Sequence, residues 1–217
     1  MFMSCKYKDL KVFILGVTAW MATFSMHAQQ SDALVPRTNV KLSAMAAIGI
    51  VNPAVEFRID KKWSVQLEGM GIFAKNNFLG TGYPLQMGAM FVEARWYPKQ
   101  VFQGFFLAPN LGGGSFRMNK NILYEFFGWL PDLNYKKSDG SVQVGHNYMG
   151  GLTLGYVFTF KKNPHWSIEA NWSLGRQWAM YEDYVHRGNG VITYGEMGGS
   201  AEYMPFYRGG IFVAYRW

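Results

Sequence analysis

The sequence predicts an all-β fold, an eight-stranded antiparallel up-and-down transmembrane β-barrel, and three observations carry that prediction. Apolar and polar residues alternate with period two through eight separate runs. The connections between those runs are short and long in alternation. Hydrophobic residues make up 49% of the chain, yet beyond the amino-terminal region none of them form the roughly 18-residue apolar stretch of a spanning helix.

The amino-terminal region reads as a secretory signal peptide over residues 1–28. Lys6, Lys8 and Lys11 form a basic start, and the fifteen uncharged residues from Val12 to Met26 form an apolar run, shorter than the roughly 20 residues that cross a bilayer. Cleavage after Ala28 leaves a short segment, 29–36, and a barrel domain, 37–217. It also removes Cys5, the one cysteine, so the mature chain has no disulfide framework and no thiolate nucleophile or metal ligand. Cys5 precedes the apolar run, which excludes a lipoprotein reading.

The eight runs are placed at 37–47, 53–60, 63–74, 86–97, 102–116, 146–160, 166–181 and 205–217. In the second, Val55, Phe57 and Ile59 alternate with Glu56, Arg58 and Asp60. In the third, Trp63, Val65 and Leu67 alternate with Ser64, Gln66 and Glu68. In the seventh, Trp166, Ile168, Ala170, Trp172 and Leu174 alternate with Ser167, Glu169, Asn171, Ser173 and Gly175. In the last, Ile211, Val213, Tyr215 and Trp217 alternate with Gly210, Phe212, Ala214 and Arg216. Tight turns at 61–62, 98–101 and 161–165 alternate with connections near 48–52, 75–85, 117–145 and 182–204. Lys62-Trp63-Ser64-Val65 is echoed by His165-Trp166-Ser167-Ile168, each just after a basic turn.

Volume decides which face points outwards. The apolar face includes Phe57, Trp63, Trp96, Phe106, Tyr156, Phe158, Phe160, Trp166, Trp172, Tyr207, Tyr215 and Trp217. An eight-stranded barrel has an interior only wide enough for side chains to fill, so these rings are assigned to the outside, against lipid. A run of about 10 residues rising about 3.3 Å each at a tilt of about 40° covers roughly 25 Å, the height of an outer-membrane apolar band. Trp63, Trp96, Tyr97, Phe160, Trp166 and Trp217 fall beside short turns, where an interfacial aromatic girdle belongs.

The opposite face becomes the lumen and carries Lys41, Glu56, Arg58, Asp60, Glu68, Glu93, Arg95, Glu169, Arg208 and Arg216. Five positive and five negative groups balance, and because a buried charge is costly unless paired, they are read as a salt-bridge plug closing the barrel. The remaining positive charge is scattered, and Lys61-Lys62, Lys136-Lys137 and Lys161-Lys162 are pairs beside turn residues and not a run along one element, which argues against a nucleic-acid stripe.

Several blocks carry a family resemblance: Arg37-Thr38-Asn39-Val40, Asn52-Pro53-Ala54-Val55-Glu56-Phe57, Lys61-Lys62-Trp63-Ser64, Glu93-Ala94-Arg95-Trp96-Tyr97 and Gly150-Gly151-Leu152-Thr153-Leu154-Gly155-Tyr156. From about Arg37 to Trp217 the chain resembles a family of small, uncharacterised outer-membrane barrels, a domain of unknown function abundant in Bacteroides-type bacteria and often encoded near fimbrial or other surface-structure genes. The resemblance implies a membrane barrel and carries no catalytic residues. At the carboxyl end Arg208, Gly210, Val213, Tyr215 and Trp217 resemble the signal read by the barrel-assembly machinery, which is therefore an expected partner during biogenesis.

Candidate chemistry is sparse. His165, Ser167 and Glu169 supply base, nucleophile and carboxylate types, but His165 lies at a short, periplasmic turn, far from outer-leaflet lipid A. Glu182, Asp183 and His186 have metal-ligand types but read as solvated loop residues, and Gly112-Gly113-Gly114 lacks the Lys and helix of a phosphate loop, reading instead as relief of crowding at a strand end. No catalytic residue, metal or cofactor is assigned. The long connection carries Tyr124, Phe126, Phe127, Trp129 and Leu130, an apolar patch suited to a partner or to closing the barrel mouth. The expectation is an outer-membrane barrel with periplasmic termini and a structural or surface-interaction role in its extracellular loops, such as an accessory to surface or fimbrial assembly. Its partners are membrane lipid and a surface or fimbrial protein. A lipid A-modifying enzyme and a small porin are the competing readings.

Overall fold

The computed structural model describes residues 36–119, 121–122, 142–186 and 192–217; for 185–186 and 192–207 it describes the backbone alone. Nine strands occur in chain order: β1 (Thr38–Ser43), β2 (Ile50–Val51), β3 (Pro53–Arg58), β4 (Trp63–Ala74), β5 (Leu85–Trp96), β6 (Gly104–Asn119), β7 (Val142–Phe160), β8 (Asn163–His186) and β9 (Ile192–Arg216). Eight are staves of a closed antiparallel barrel. The two-residue β2 is an outlying pairing, Ile50 opposite Ile72 and Val51 opposite Gly71 on β4. No described helix is long and apolar enough to cross a membrane.

Each stave pairs with its sequence neighbours, and closure is made by β1 against β9, with Val40 opposite Tyr215, Lys41 opposite Ala214 and Leu42 opposite Val213. Short-turn ends are knitted to each other as well. Tyr97 N donates to Lys62 O at 2.9 Å and Val101 N to Lys61 O at 3.0 Å, joining the β5–β6 turn to the β3–β4 turn. Arg37 N donates to Trp217 O at 3.1 Å beside the closing seam.

All eight expected strands are present, and four, β6 to β9, are longer than the alternation predicts. Within the connection expected near 182–204, residues 182–186 continue β8 and residues 192–204 belong to β9, paired as far as His186 opposite Ile192. Residues 142–145 extend β7. Gly112-Gly113-Gly114 lies in the body of β6, not at a strand end. A Cβ at Gly112 would overlap the inward Phe91 ring, so glycine there makes room for that ring.

Period two governs burial. On β5 the inward set is Ala89, Phe91, Glu93 and Arg95, all buried, while Met90, Val92 and Trp96 are exposed. Outward residues form an apolar belt on each long stave. It runs from Trp96 to Gly88 on β5, Phe105 to Gly113 on β6, Phe160 to Tyr148 on β7 and Trp166 to Leu174 on β8. The next outward positions are polar: Gln86, Ser115, His146 and Arg176. Ser115 Oγ and His146 Nδ1 lie 3.0 Å apart across the β6–β7 pair at that boundary.

Two expected outward rings point inwards. Phe106 is fully buried, and Phe105 takes the outward position instead. Inward placement puts the Phe106 ring under the Arg95 guanidinium, 4.3 Å from carbon to centroid, and Gly155 leaves space for it, since a Cβ there would overlap the ring. Tyr97, expected in the girdle, is also fully buried; it follows Glu93 and Arg95 in parity and packs on Phe106 with centroids 5.4 Å apart. The side chain of Tyr207 lies outside the described residues. The other ten rings of the expected outer face are exposed on the outer wall.

Candidate functional site

Among the described residues the densest cluster of charged side chains is inside the barrel. Alternation on β1, β3, β4, β5, β8 and β9 turns Lys41, Glu56, Glu68, Glu93, Arg95, Glu169, Arg208 and Arg216 inwards, and all eight are buried. Two expected members fall outside. β3 ends at Arg58, which is half-buried, and Asp60 sits exposed in the following turn, where Ile59 N and Asp60 N both donate to Trp63 O. Once the chain turns, strand parity no longer directs a side chain into the lumen. The buried set is four cations and four carboxylates.

Seven of the eight form one connected array. Lys41 Nζ is paired with Glu56 at 2.5 Å and also with Glu169. Arg95 bridges three carboxylates, its Nε donating to Glu93 at 2.7 Å and its Nη1 reaching Glu169 at 2.9 Å and Glu56 at 3.4 Å. Arg208 pairs with Glu68 at 2.9 Å and with Glu93, and its guanidinium lies 4.5 Å from the Phe91 centroid. Buried ion pairs persist only when their remaining donors and acceptors are also satisfied. Here neutral inward residues supply most of those bonds, and among the described residues the buried Arg95 Nη2 has no hydrogen-bond partner. Ser64 and Tyr97 donate to Glu56, Tyr97 at 2.8 Å; Asn52 donates to Glu68 at 2.6 Å; Asn171 donates to Glu169 at 2.7 Å; and Thr153 donates to Glu93 at 2.7 Å.

Sequence reasoning placed Ser64, Gln66, Asn171 and Ser173 on the polar face without assigning them a part. The signal was present in their parity with Glu68 and Glu169. Tyr97 carried the same signal, two positions beyond Arg95.

Arg216, the eighth charge, acts elsewhere. Its Nε donates to Pro164 O at 2.6 Å, its Nη1 to Phe102 O at 2.8 Å and its Nη2 to Thr159 Oγ1 at 3.1 Å. It thus holds the turn between β5 and β6 and the turn between β7 and β8 from one point. The first of those turns folds back into the barrel, burying Val101 and Phe102 with Tyr97, Phe106, Ala108 and Val157 as an apolar stopper at the short-turn end. Phe102 adopts a φ of 67°, a costly conformation for a bulky residue, held by burial and by the Arg216 bond to its carbonyl.

The His165, Ser167 and Glu169 set does not assemble as a nucleophile and its base. His165 is exposed, with Nδ1 2.9 Å from Arg216 O and its ring stacked on Tyr215. Ser167 Oγ is buried with no hydrogen-bond partner among the described residues, and Glu169 is engaged by Lys41 and Arg95. Glu182 accepts the Tyr184 hydroxyl at 2.5 Å, and the His186 side chain lies outside the described residues. Among the described residues no three His, Cys, Asp or Glu side chains cluster to hold a metal. Tyr124, Phe126, Phe127, Trp129 and Leu130 also lie outside the described residues.

The carboxy-terminal set divides between the two faces of β9. Arg208 is in the ion-pair array, Gly210 faces inwards, and Val213, Tyr215 and Trp217 are outward. Tyr215 packs on Trp166 of the neighbouring stave, with centroids 5.0 Å apart.

Among the described residues the barrel thus combines an ion-paired interior with an apolar exterior. Residues 14–205 match the family described as protein of unknown function, DUF3575. The chain belongs to the DUF3575 family. No curated protein and no solved structure matches it. Membership in DUF3575 and the eight-stranded barrel together define the type of protein, an uncharacterised domain built as a closed barrel.

Proposed function

We propose that this DUF3575 protein is an outer-membrane barrel with a structural or surface-interaction role, its lumen sealed and its working surface on the extended strands and extracellular loops. The carrying observation is the inversion of the barrel: buried ion pairs inside and an apolar aromatic belt outside. In water that outer wall would be an apolar surface far larger than a soluble monomer presents. Its depth, 9 residues on β5, β6 and β8 and 13 on β7, corresponds to about 23–33 Å at the usual rise and tilt, which brackets the roughly 25 Å apolar band of an outer membrane. Residues 1–28 act as a signal peptide, and the Arg208–Trp217 pattern engages the barrel-assembly machinery by strand addition.

The ion-paired lumen and the apolar stopper oppose a porin role. For a lipid-modifying enzyme, the separate engagements of His165 and Glu169 leave Ser167 without a base. What favours interaction is the continuation of β6 to β9 beyond the belt. β8 and β9 remain paired past Arg176 as far as His186 and Ile192, raising a wall of paired backbone on the side away from the short turns. A surface or fimbrial assembly component is the class of partner that such a projection would meet.

The test is topological. The mature chain has no cysteine, so Lys75→Cys at the long-strand end and Lys99→Cys at the short-turn end each give one reactive thiol. A membrane-impermeant maleimide added to intact cells should label the first variant and should reach the second only after the outer membrane is permeabilised. Labelling of both, or the reverse order, overturns the proposal. Crosslinking from the first position then identifies what the surface contacts.

A further inference from the structure

We infer that the short-turn end of the barrel is a binding platform for anionic phospholipid headgroups, an inference that rests on the membrane reading above. Arg37, Lys61, Lys62, Lys99, Lys161 and Lys162 are all exposed there. Asp60 is the one exposed carboxylate among the described residues of those turns. Sequence alone shows scattered pairs, because the cations come from four separate places in the chain.

The fold brings them together. Lys61 and Lys62 carbonyls accept from Val101 and Tyr97, which seats the Lys99 turn beside the Lys61-Lys62 turn. Arg216 bonds to both Phe102 O and Pro164 O, which ties the Lys161-Lys162 turn to the same floor. Arg37 O accepts from Arg58 N at 2.9 Å, and Arg37 N bonds to Trp217 O, fixing the start of β1 at this end. The cations therefore ride on a stitched, preorganised base.

Their position against the belt selects the ligand. Phe57, Trp63, Trp96, Phe160, Trp166 and Trp217 are exposed outer-wall rings immediately adjoining these turns. Aromatic rings at headgroup level with cations just beyond them match the two parts of a phospholipid, ester region and phosphate. Lysine stems can lie along the rings while the ammonium reaches the phosphate. A soluble anionic protein would use the charges but leave the girdle unexplained, so the platform is assigned to lipid. Anionic lipids such as phosphatidylglycerol, with net charge −1 headgroups, are favoured over zwitterionic ones because the platform carries an excess of positive charge.

The experiment measures retained lipid on the purified, detergent-folded protein by native mass spectrometry. Phosphatidylglycerol and phosphatidylcholine of the same chain length are supplied in competition, with the boiled and unboiled gel run on each sample. The wild type should retain phosphatidylglycerol at least about tenfold over phosphatidylcholine, on the scale set by a few surface cations, and the preference should shrink in about 1 M salt, where charges are screened within about 3 Å. Lys62→Gln, Lys99→Gln, Lys161→Gln and Lys162→Gln combined should bring the preference to about twofold or less while keeping the folded band. A folded wild type with no preference, or a folded quadruple variant with the wild-type preference, overturns this inference and leaves the membrane reading standing. A wild type with no folded band overturns both.

Discussion

Arg216 Nη1 donates to the main-chain carbonyl of Phe102 at 2.8 Å, joining the end of the last strand to a turn 114 positions earlier in the chain. Because Asn39 lies opposite Arg216 in the β1–β9 pairing, the same residue sits on the seam that closes the barrel. Closure of the seam and insertion of the apolar stopper are thus coupled through one guanidinium.

Arg216→Met removes three side-chain donors from buried or half-buried carbonyl and hydroxyl partners. A hydrogen bond from a charged group contributes about 1.5–3 kcal/mol, and the variant should lose at least that much in reversible urea unfolding. Trypsin should also cut the folded variant after Lys99 faster than wild type. An unchanged midpoint with unchanged cleavage would remove Arg216 from its role as a latch.

Lys41 and Glu169 should behave as a coupled pair. Glu169→Gln leaves Lys41 and Arg95 short of a carboxylate, and breaking one partner of a buried pair costs about 3–5 kcal/mol. Lys41→Met should cost a similar amount alone. The double variant should recover about 1–3 kcal/mol relative to the sum of the single effects, read from a double-mutant cycle in lipid vesicles. Strict additivity would mean that the short contacts carry little energy.

On the outer wall, Leu152 is 49% exposed and lies mid-belt, opposite Leu174 and Pro109. Leu152→Arg should destabilise the barrel in a bilayer by about 2–4 kcal/mol, whereas Leu152→Phe should be near neutral. In a soluble protein the arginine at so exposed a site would be tolerated, so equal stability of the two variants would count against lipid contact.

Planar-bilayer recordings should show no unitary conductance for the wild type. Arg95→Ala combined with Phe106→Ala removes the stacked guanidinium and ring from the lumen, and small conductance steps should appear. Steps of the same size in the wild type would restore the porin reading.

Much of this architecture is legible in period-two alternation because a small barrel separates its two environments so sharply. Val40, Lys41 and Leu42 need only their parity to be placed. Parity fails where the chain leaves the strand, which is why Asp60 is exposed in a turn although it follows Glu56 and Arg58 in step. Position beside a turn misled in the opposite direction for Tyr97, whose parity with Arg95 takes it inwards to the Glu56 carboxylate. Phe106 was obscured because a ring on an inward position of a polar lumen looks misplaced until the Arg95 guanidinium is found stacked on it. The upper parts of β8 and β9 lie beyond the apolar belt, where neither face is uniformly apolar, so nothing in residues 182–204 announces paired strands. The joining of Lys62, Lys99 and Lys161 at one end follows from long-range hydrogen bonds that no local pattern encodes.

Heat modifiability combined with membrane fractionation tests whether the apolar belt faces lipid around a closed barrel. The protein should sediment with outer membranes, and its unboiled, detergent-extracted form should migrate differently from the boiled form. A protein recovered in the soluble fraction with identical mobility before and after boiling would contradict it.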